Sequence, residues 1–180
     1  MTAYELETAI AAAKAGKEEG YCQLFAEFSG MIYSLVSRIL PDEADAEELT
    51  QDVFLQAFAA LADFQPQGGG FAAWLRRIAY NMSISRLRNS GPKMISIDNK
   101  EISESMGDLE TFESKDDAIM DLMEAIKKLP KEEQALLQMF YFDQLSMQEI
   151  AYVVSSKPTS VAMRMSRIRK KLKRLFSKEQ

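Results

Sequence analysis

The 180-residue sequence contains no histidine and a single cysteine, Cys22. Without histidine the commonest general base and metal ligand is missing, and with it every Ser-His or Cys-His pair. One cysteine can form neither an intrachain disulfide nor a cysteine-based zinc cluster. The one glycine run, Gly68-Gly69-Gly70, lacks the spacing of a nucleotide-binding fingerprint and has no strand pattern before it. No apolar run approaches the roughly 20 residues that span a bilayer. The N-terminal MTAYELETAIAAAKAG carries acids where a signal peptide carries bases. These absences argue against an enzyme, a cofactor, a metal centre or a small-molecule substrate. They lead us to expect a soluble, cytoplasmic chain without membrane insertion.

What is present is a globular composition, 47% apolar and 27% charged, with charge that is sharply segregated. Between Ile39 and Leu75 there are seven acids (Asp42, Glu43, Asp45, Glu47, Glu48, Asp52, Asp63) and no base. Between Phe71 and Ile97 there are five bases (Arg76, Arg77, Arg86, Arg88, Lys93) and no acid. Acids dominate again from Asp98 to Glu124, and Lys157 to Lys178 holds nine of the 22 Lys and Arg residues with no acid. The net charge of −5 hides these blocks. One block suits a cationic partner and two suit polyanions.

The periodicity is helical nearly throughout, which predicts an all-α fold. A first helix over about Tyr4 to Ala15 ends at Gly16, and a second, about Glu18 to Leu40, is stopped by Pro41. Asp45 is expected to cap a third helix with its seam at Leu49, Val53, Phe54, Ala57, Phe58 and Leu61. The loop DFQPQGGG leads into a fourth helix, about Phe71 to Arg88. Residues 1–90 are thus expected to form one helical bundle, and the acidic, Ser-rich stretch 91–116 a flexible linker. Within that stretch Met94, Ile95, Ile97 and Phe112 could anchor weakly. A second small domain, 117–180, opens with helices about Asp117 to Leu129 and KEEQALLQMFYFDQ. Ser146-Met147-Gln148-Glu149 is a capping-box pattern for a short helix, and Pro158 suits the first position of a last helix reaching about Phe176. A short capped helix, a tight break and a longer basic helix predict a helix-turn-helix.

The last helix has a predicted seam of Val161, Met165, Ile168, Leu172 and Leu175. Removing it leaves Ser160, Ala162, Met163, Arg164, Ser166, Arg167, Lys170, Lys171 and Arg174 outward, a face suited to a major groove flanked by phosphates. The fourth helix combines Arg76, Arg77, Arg86 and Arg88 with Trp74 and Tyr80, and Asn81 follows one turn after Arg77. Cations with aromatic planes suit single strands, although Trp74 alone reads better as core. The loop Asp63-Phe64-Gln65-Pro66-Gln67 offers polar edges for a splayed base. Asp45, Glu47, Glu48, Gln51 and Asp52 form an acidic face on the third helix, which in isolation could be a solvated surface.

At this point the sequence resembles a family. DEADAEELTQDVFLQAFAALADFQPQGGGFAAWLRRIAYNMSISRLR is similar to region 2 of extracytoplasmic-function (ECF) sigma factors of the sigma-70 superfamily. LMEAIKKLPKEEQALLQMFYFDQLSMQEIAYVVSSKPTSVAMRMSRIRKKLKRL resembles their region 4. The resemblance implies a sigma factor that binds core RNA polymerase, through the β′ clamp helices and the β subunit, and directs promoter-specific initiation. It implies that Asp45, Glu47, Glu48, Gln51 and Asp52 dock on polymerase. Asp63, Phe64, Gln65, Trp74, Arg77, Tyr80, Asn81 and Arg86 would meet the −10 element, and the last helix the −35 element. The acidic linker would run near the RNA exit path, and an anti-sigma factor would be the regulatory partner.

Two departures bear on specificity. Where the family usually has Gly-Thr-Val-Lys-Ser-Arg, this sequence has Thr159-Ser160-Val161-Ala162-Met163-Arg164, and Ser85 stands where Asp is frequent. The altered recognition helix leaves an alternative open, a sigma-like decoy that sequesters an anti-sigma factor without binding DNA. A dimeric helix-turn-helix repressor would leave the region 2 resemblance unexplained.

Overall fold

The computed structural model describes residues 1–66, 69–90 and 122–176, all helices and short connections among the described residues. Four helices build the first module: α1 (Ala3–Lys14), α2 (Glu18–Ile39), α3 (Glu43–Ala59) and α4 (Gly70–Ser90), with a 3₁₀ turn at Leu61–Asp63. In the second, a helical stretch at 122–127 (α5) leads to α6 (Lys131–Leu137), α7 (Met147–Val153) and α8 (Pro158–Phe176). The expected linker, with its four anchor residues, and residues 117–121 lie outside the described residues, as do Gln67 and the side chain of Leu175.

The helix limits follow local chemistry. Thr2 and Glu5 form a reciprocal capping box on α1, and Gly16, at φ +76°, takes the left-handed turn after it. The cap of α3 is Asp42 rather than Asp45: the Asp42 carboxylate accepts from the Asp45 N–H at 2.8 Å. The helix therefore starts at Glu43, three residues earlier than a cap at Asp45 would give. The predicted KEEQALLQMFYFDQ helix is α-helical only to Leu137 and then widens to a π-turn over Gln138–Phe142. The Ser146/Glu149 capping box on α7 is present as expected, and Pro158 does open α8.

In the first module α2 is the central pillar, with Leu24, Ile32, Leu35, Val36 and Ile39 fully buried against Leu49, Val53, Phe54 and Leu75. α1 crosses α2 closely: a Cβ at Gly20 would collide with the backbone of Ala9 and Ala13, so only glycine fits this crossing. The second module closes on Leu136, Met139, Ile150, Val161, Met165 and Ile168. Truncating any of these large side chains to Ala costs about 2–5 kcal/mol. The two modules are packed together, α4 against α7 and α2 against α6.

Candidate nucleic-acid interface

The seam of α8 is buried as expected. Val161, Met165 and Ile168 are buried, and Leu172 packs on the core beside them. Ala162, Met163, Ser166, Arg167, Lys170, Lys171 and Arg174 are exposed, with Ser160 and Arg164 half-buried. Met163 is 57% exposed, an apolar side chain offered to solvent in the first turns of a basic helix. The helix is aimed by what precedes it. The Ser146 hydroxyl accepts from the Glu149 N–H, while the Glu149 carboxylate accepts from the Ser146 N–H at 2.9 Å, which starts α7 sharply. α7 ends at Val153, and Ser155, at φ +53°, turns the chain toward α8. Those bonds from Ser146 also hold the Glu149 carboxyl below its ordinary pKa.

α4 and the loop before it are built on an aromatic cluster. Phe64 packs on Phe71 at 5.4 Å and on Trp74 at 4.8 Å, and Phe71 packs on Phe28 at 5.2 Å. Phe64 is only 5% exposed, so of the three expected loop residues only Asp63 and Gln65 are at the surface. Trp74 is half-buried with one side in the cluster, and Asn81 is exposed beyond it. Trp74, Arg77, Ile78, Asn81 and Met82 line one shallow cleft with Gln56 and Tyr152. Tyr80 is 6% exposed, and burial raises the pKa of its phenol, with Glu132 adding to the effect.

The expected −10 residues therefore divide. Trp74, Arg77 and Asn81 line one cleft, Asp63 and Gln65 are exposed on the preceding segment, Phe64 and Tyr80 are buried, and Arg86 points elsewhere. The Arg86 guanidinium pairs with Asp45 at 2.9 Å and Glu48 at 3.0 Å on α3, and these carboxylates raise its pKa. It ties α4 to the acidic face. On that face Glu47, Glu48 and Gln51 are exposed, and Asp45 and Asp52 half-buried.

Two residues were missed by sequence reasoning. Leu55 is 68% exposed, one turn beyond Gln51 and Asp52, an apolar point on an acidic surface. Its position off the α3 seam was a readable signal. Lys14 donates to the Phe64 carbonyl at 2.9 Å, with its ammonium 5.8 Å from the Phe64 ring centroid. Fifty residues separate the two, and no local pattern links them.

Comparison with known proteins agrees with this geometry. Residues 24–92 match the family described as Sigma-70 region 2, and residues 119–172 match Sigma-70, region 4. The ECF RNA polymerase sigma factor BldN of Streptomyces coelicolor is 27% identical over 91% of this chain and 63% of its own length. SigE of Mycolicibacterium smegmatis is 27% identical over 87% and 61%, and SigW of Bacillus subtilis 26% over 89% and 91%. The chain thus spans about three-fifths of BldN and SigE and about nine-tenths of SigW. CnrH, solved in complex with the cytosolic domain of CnrY, is similar in fold, with a TM-score of 0.68, 23% identity and coverage of 96% and 97%. RpoE of Bartonella quintana, solved with the anti-sigma factor NepR, has a TM-score of 0.62 at 18% identity, covering 89% and 98%. With both regions matched in order and with ECF relatives along most of its length, the chain belongs to the ECF group of the sigma-70 family.

Proposed function

We propose that this chain is an RNA polymerase sigma factor that binds core polymerase and directs it to a particular set of promoters. The observation that carries the reading is the coexistence of three chemically distinct faces on one chain. α3 presents acids around Leu55, the α4 side presents Arg77, Trp74 and Asn81, and α8 presents Ala162, Met163, Ser166 and Arg167 flanked by cations. A conventional duplex-binding protein needs only the last of these.

Each face has a physical task. The α3 face, with Glu47, Glu48, Gln51 and Asp52 around an exposed leucine, suits a basic helical surface such as the β′ clamp helices. The α4 surface suits the separated non-template strand at −10, with bases stacking beside the half-buried Trp74 and phosphates meeting the Arg77 guanidinium. On α8, Lys170, Lys171 and Arg174 meet phosphates at −35. Ala162 and Met163 replace the polar pair usual in the family and favour thymine methyl groups there. Polymerase spaces the two DNA-reading modules, so two weak contacts act as one through effective concentration. The β subunit as a second docking point and control by an anti-sigma factor follow from the family; RpoE of Bartonella quintana, similar in fold, was solved with the anti-sigma factor NepR.

In vitro transcription with purified core polymerase on a genomic fragment library tests the whole reading. A shared pair of −10 and −35 motifs upstream of the start sites is expected, and Arg167→Ala should relax selection at −35. Initiation no better than core alone sinks the proposal.

A further inference from the structure

α8 is gripped on both flanks of its buried seam. At about 100° per residue, Arg164 and Lys171 lie to one side of that seam and Arg169 to the other. On the first side the carboxylates of α6 hold the cations, Glu132 with Arg164 at 3.3 Å and Glu133 with Lys171 at 3.1 Å. On the second side the partner is the π-turn. The Arg169 Nε–H donates to the Tyr141 hydroxyl at 3.2 Å, and the guanidinium lies 5.7 Å from the Phe140 ring centroid. The two rings stand edge to face, 4.9 Å apart, with Phe140 half-buried on the core and Tyr141 exposed. The turn that carries them is closed twice. The Asp143 N–H donates to the Gln138 carbonyl at 3.0 Å, and the Gln138 side-chain amide donates to the Asp143 carboxylate at 3.3 Å. Turns of this width inside helices recur at functional sites.

The two grips differ in chemistry. Carboxylates cancel the charges of Arg164 and Lys171, whereas a hydroxyl and a ring leave that of Arg169 uncompensated. The helix is held on this side without loss of the positive potential that attracts DNA. Half-exposed ion pairs are weak and exchange readily with phosphates, so on DNA the α6 side loosens and the π-turn side remains. We propose that Arg169 is a positioning residue: through Tyr141 and Phe140 it sets the roll of α8, and with it which side chains meet the −35 base pairs. This rests on the reading of α8 as the −35 helix. A change of roll moves Met163, Ser166 and Arg167 together, so what fails is discrimination between base pairs rather than attraction to phosphates.

The test uses holoenzyme reconstituted with the full chain. The probe is one promoter that the parent holoenzyme recovers from genomic fragments, with its −35 segment randomised. Sequencing the templates held in open complexes gives the base preference at each position. That preference is a ratio among templates and does not depend on how much of a variant is folded. Arg169→Lys keeps the charge but loses the planar stack and the Nε–H donor, and Tyr141→Phe removes only the hydroxyl. Arg169→Lys should lower the preference about tenfold at one or two positions. Tyr141→Phe should lower it about threefold, the worth of one hydrogen bond. Together they should do no more than Arg169→Lys alone, because both break one contact. Parental preference in Arg169→Lys overturns the positioning role, since a phosphate contact would survive the exchange. Fully additive losses overturn it too, since Arg169 would then act without Tyr141. A parent that itself shows no −35 preference sinks the reading of α8 and the positioning role with it; a parent that discriminates no better than Arg169→Lys does sinks the positioning role alone.

Discussion

Lys14 and the pair Ala162-Met163 show how much a single position can decide. The Lys14 ammonium is a strut from α1 to the Phe64 carbonyl, where the 3₁₀ turn gives way to the loop bearing Asp63 and Gln65. Removing it leaves that carbonyl without its cationic donor and frees the base of the loop. Lys14→Ala should reduce promoter opening several-fold while core binding is unchanged, with Lys14→Arg restoring most of the activity; permanganate footprinting reads the first and a binding titration the second. On α8, Ala162→Lys/Met163→Ser restores the polar pair usual in the family. Specificity contacts are worth about 1–3 kcal/mol per base pair. The double variant should therefore shift −35 preference by roughly one to two orders of magnitude at one or two positions, which selection from a randomised promoter library would show. The exposure of Ala162, Met163, Ser166 and Arg167 was legible in sequence because a seam at steps of four and three fixes what is left outside. The Lys14 strut was not, since it depends on how α1 lies across the bundle.

Elements divide along the same line. The limits of α7 and α8 were readable from Ser146, Glu149 and Pro158, each of which acts within its own turn. The π-turn at Gln138–Phe142 was not readable, because nothing in an apolar run marks where a helix widens. Nor was the true partner of Arg86. Sequence placed it among the −10 residues because it shares α4 with Arg77, but the two differ by nine residues and point to different neighbours. Arg86→Ala should accordingly weaken core-polymerase affinity, by loosening Asp45 and Glu48, and leave −10 base preference intact. The α7 cap adds a pH dependence. Glu149 titrates lower in the folded chain than when unfolded, so its contribution is complete above the ordinary carboxylate pKa and is lost as pH falls through the depressed folded value. Glu149→Gln should flatten that acid limb of a thermal-melting profile, and Ser146→Ala should cost about 1 kcal/mol at neutral pH.

At the scale of the whole molecule, the charge blocks were the plainest feature of the sequence, and their meaning was half read. They were assigned outward, acids to polymerase and bases to DNA, because a linear sequence shows which segments carry charge but not which of them meet. The folded chain sets carboxylates of the second module, Glu132 and Asp143, against Arg88 and Arg76 of the first. Salt screens these pairs, most of all that of Arg88 with Glu132, which is the more exposed. Glu132→Gln/Asp143→Asn removes both. The parent should therefore melt above the variant by most at low salt, and the two melting temperatures should converge as salt rises. A difference independent of salt would mean that packing, and not charge, holds Arg76 and Arg88 against the second module.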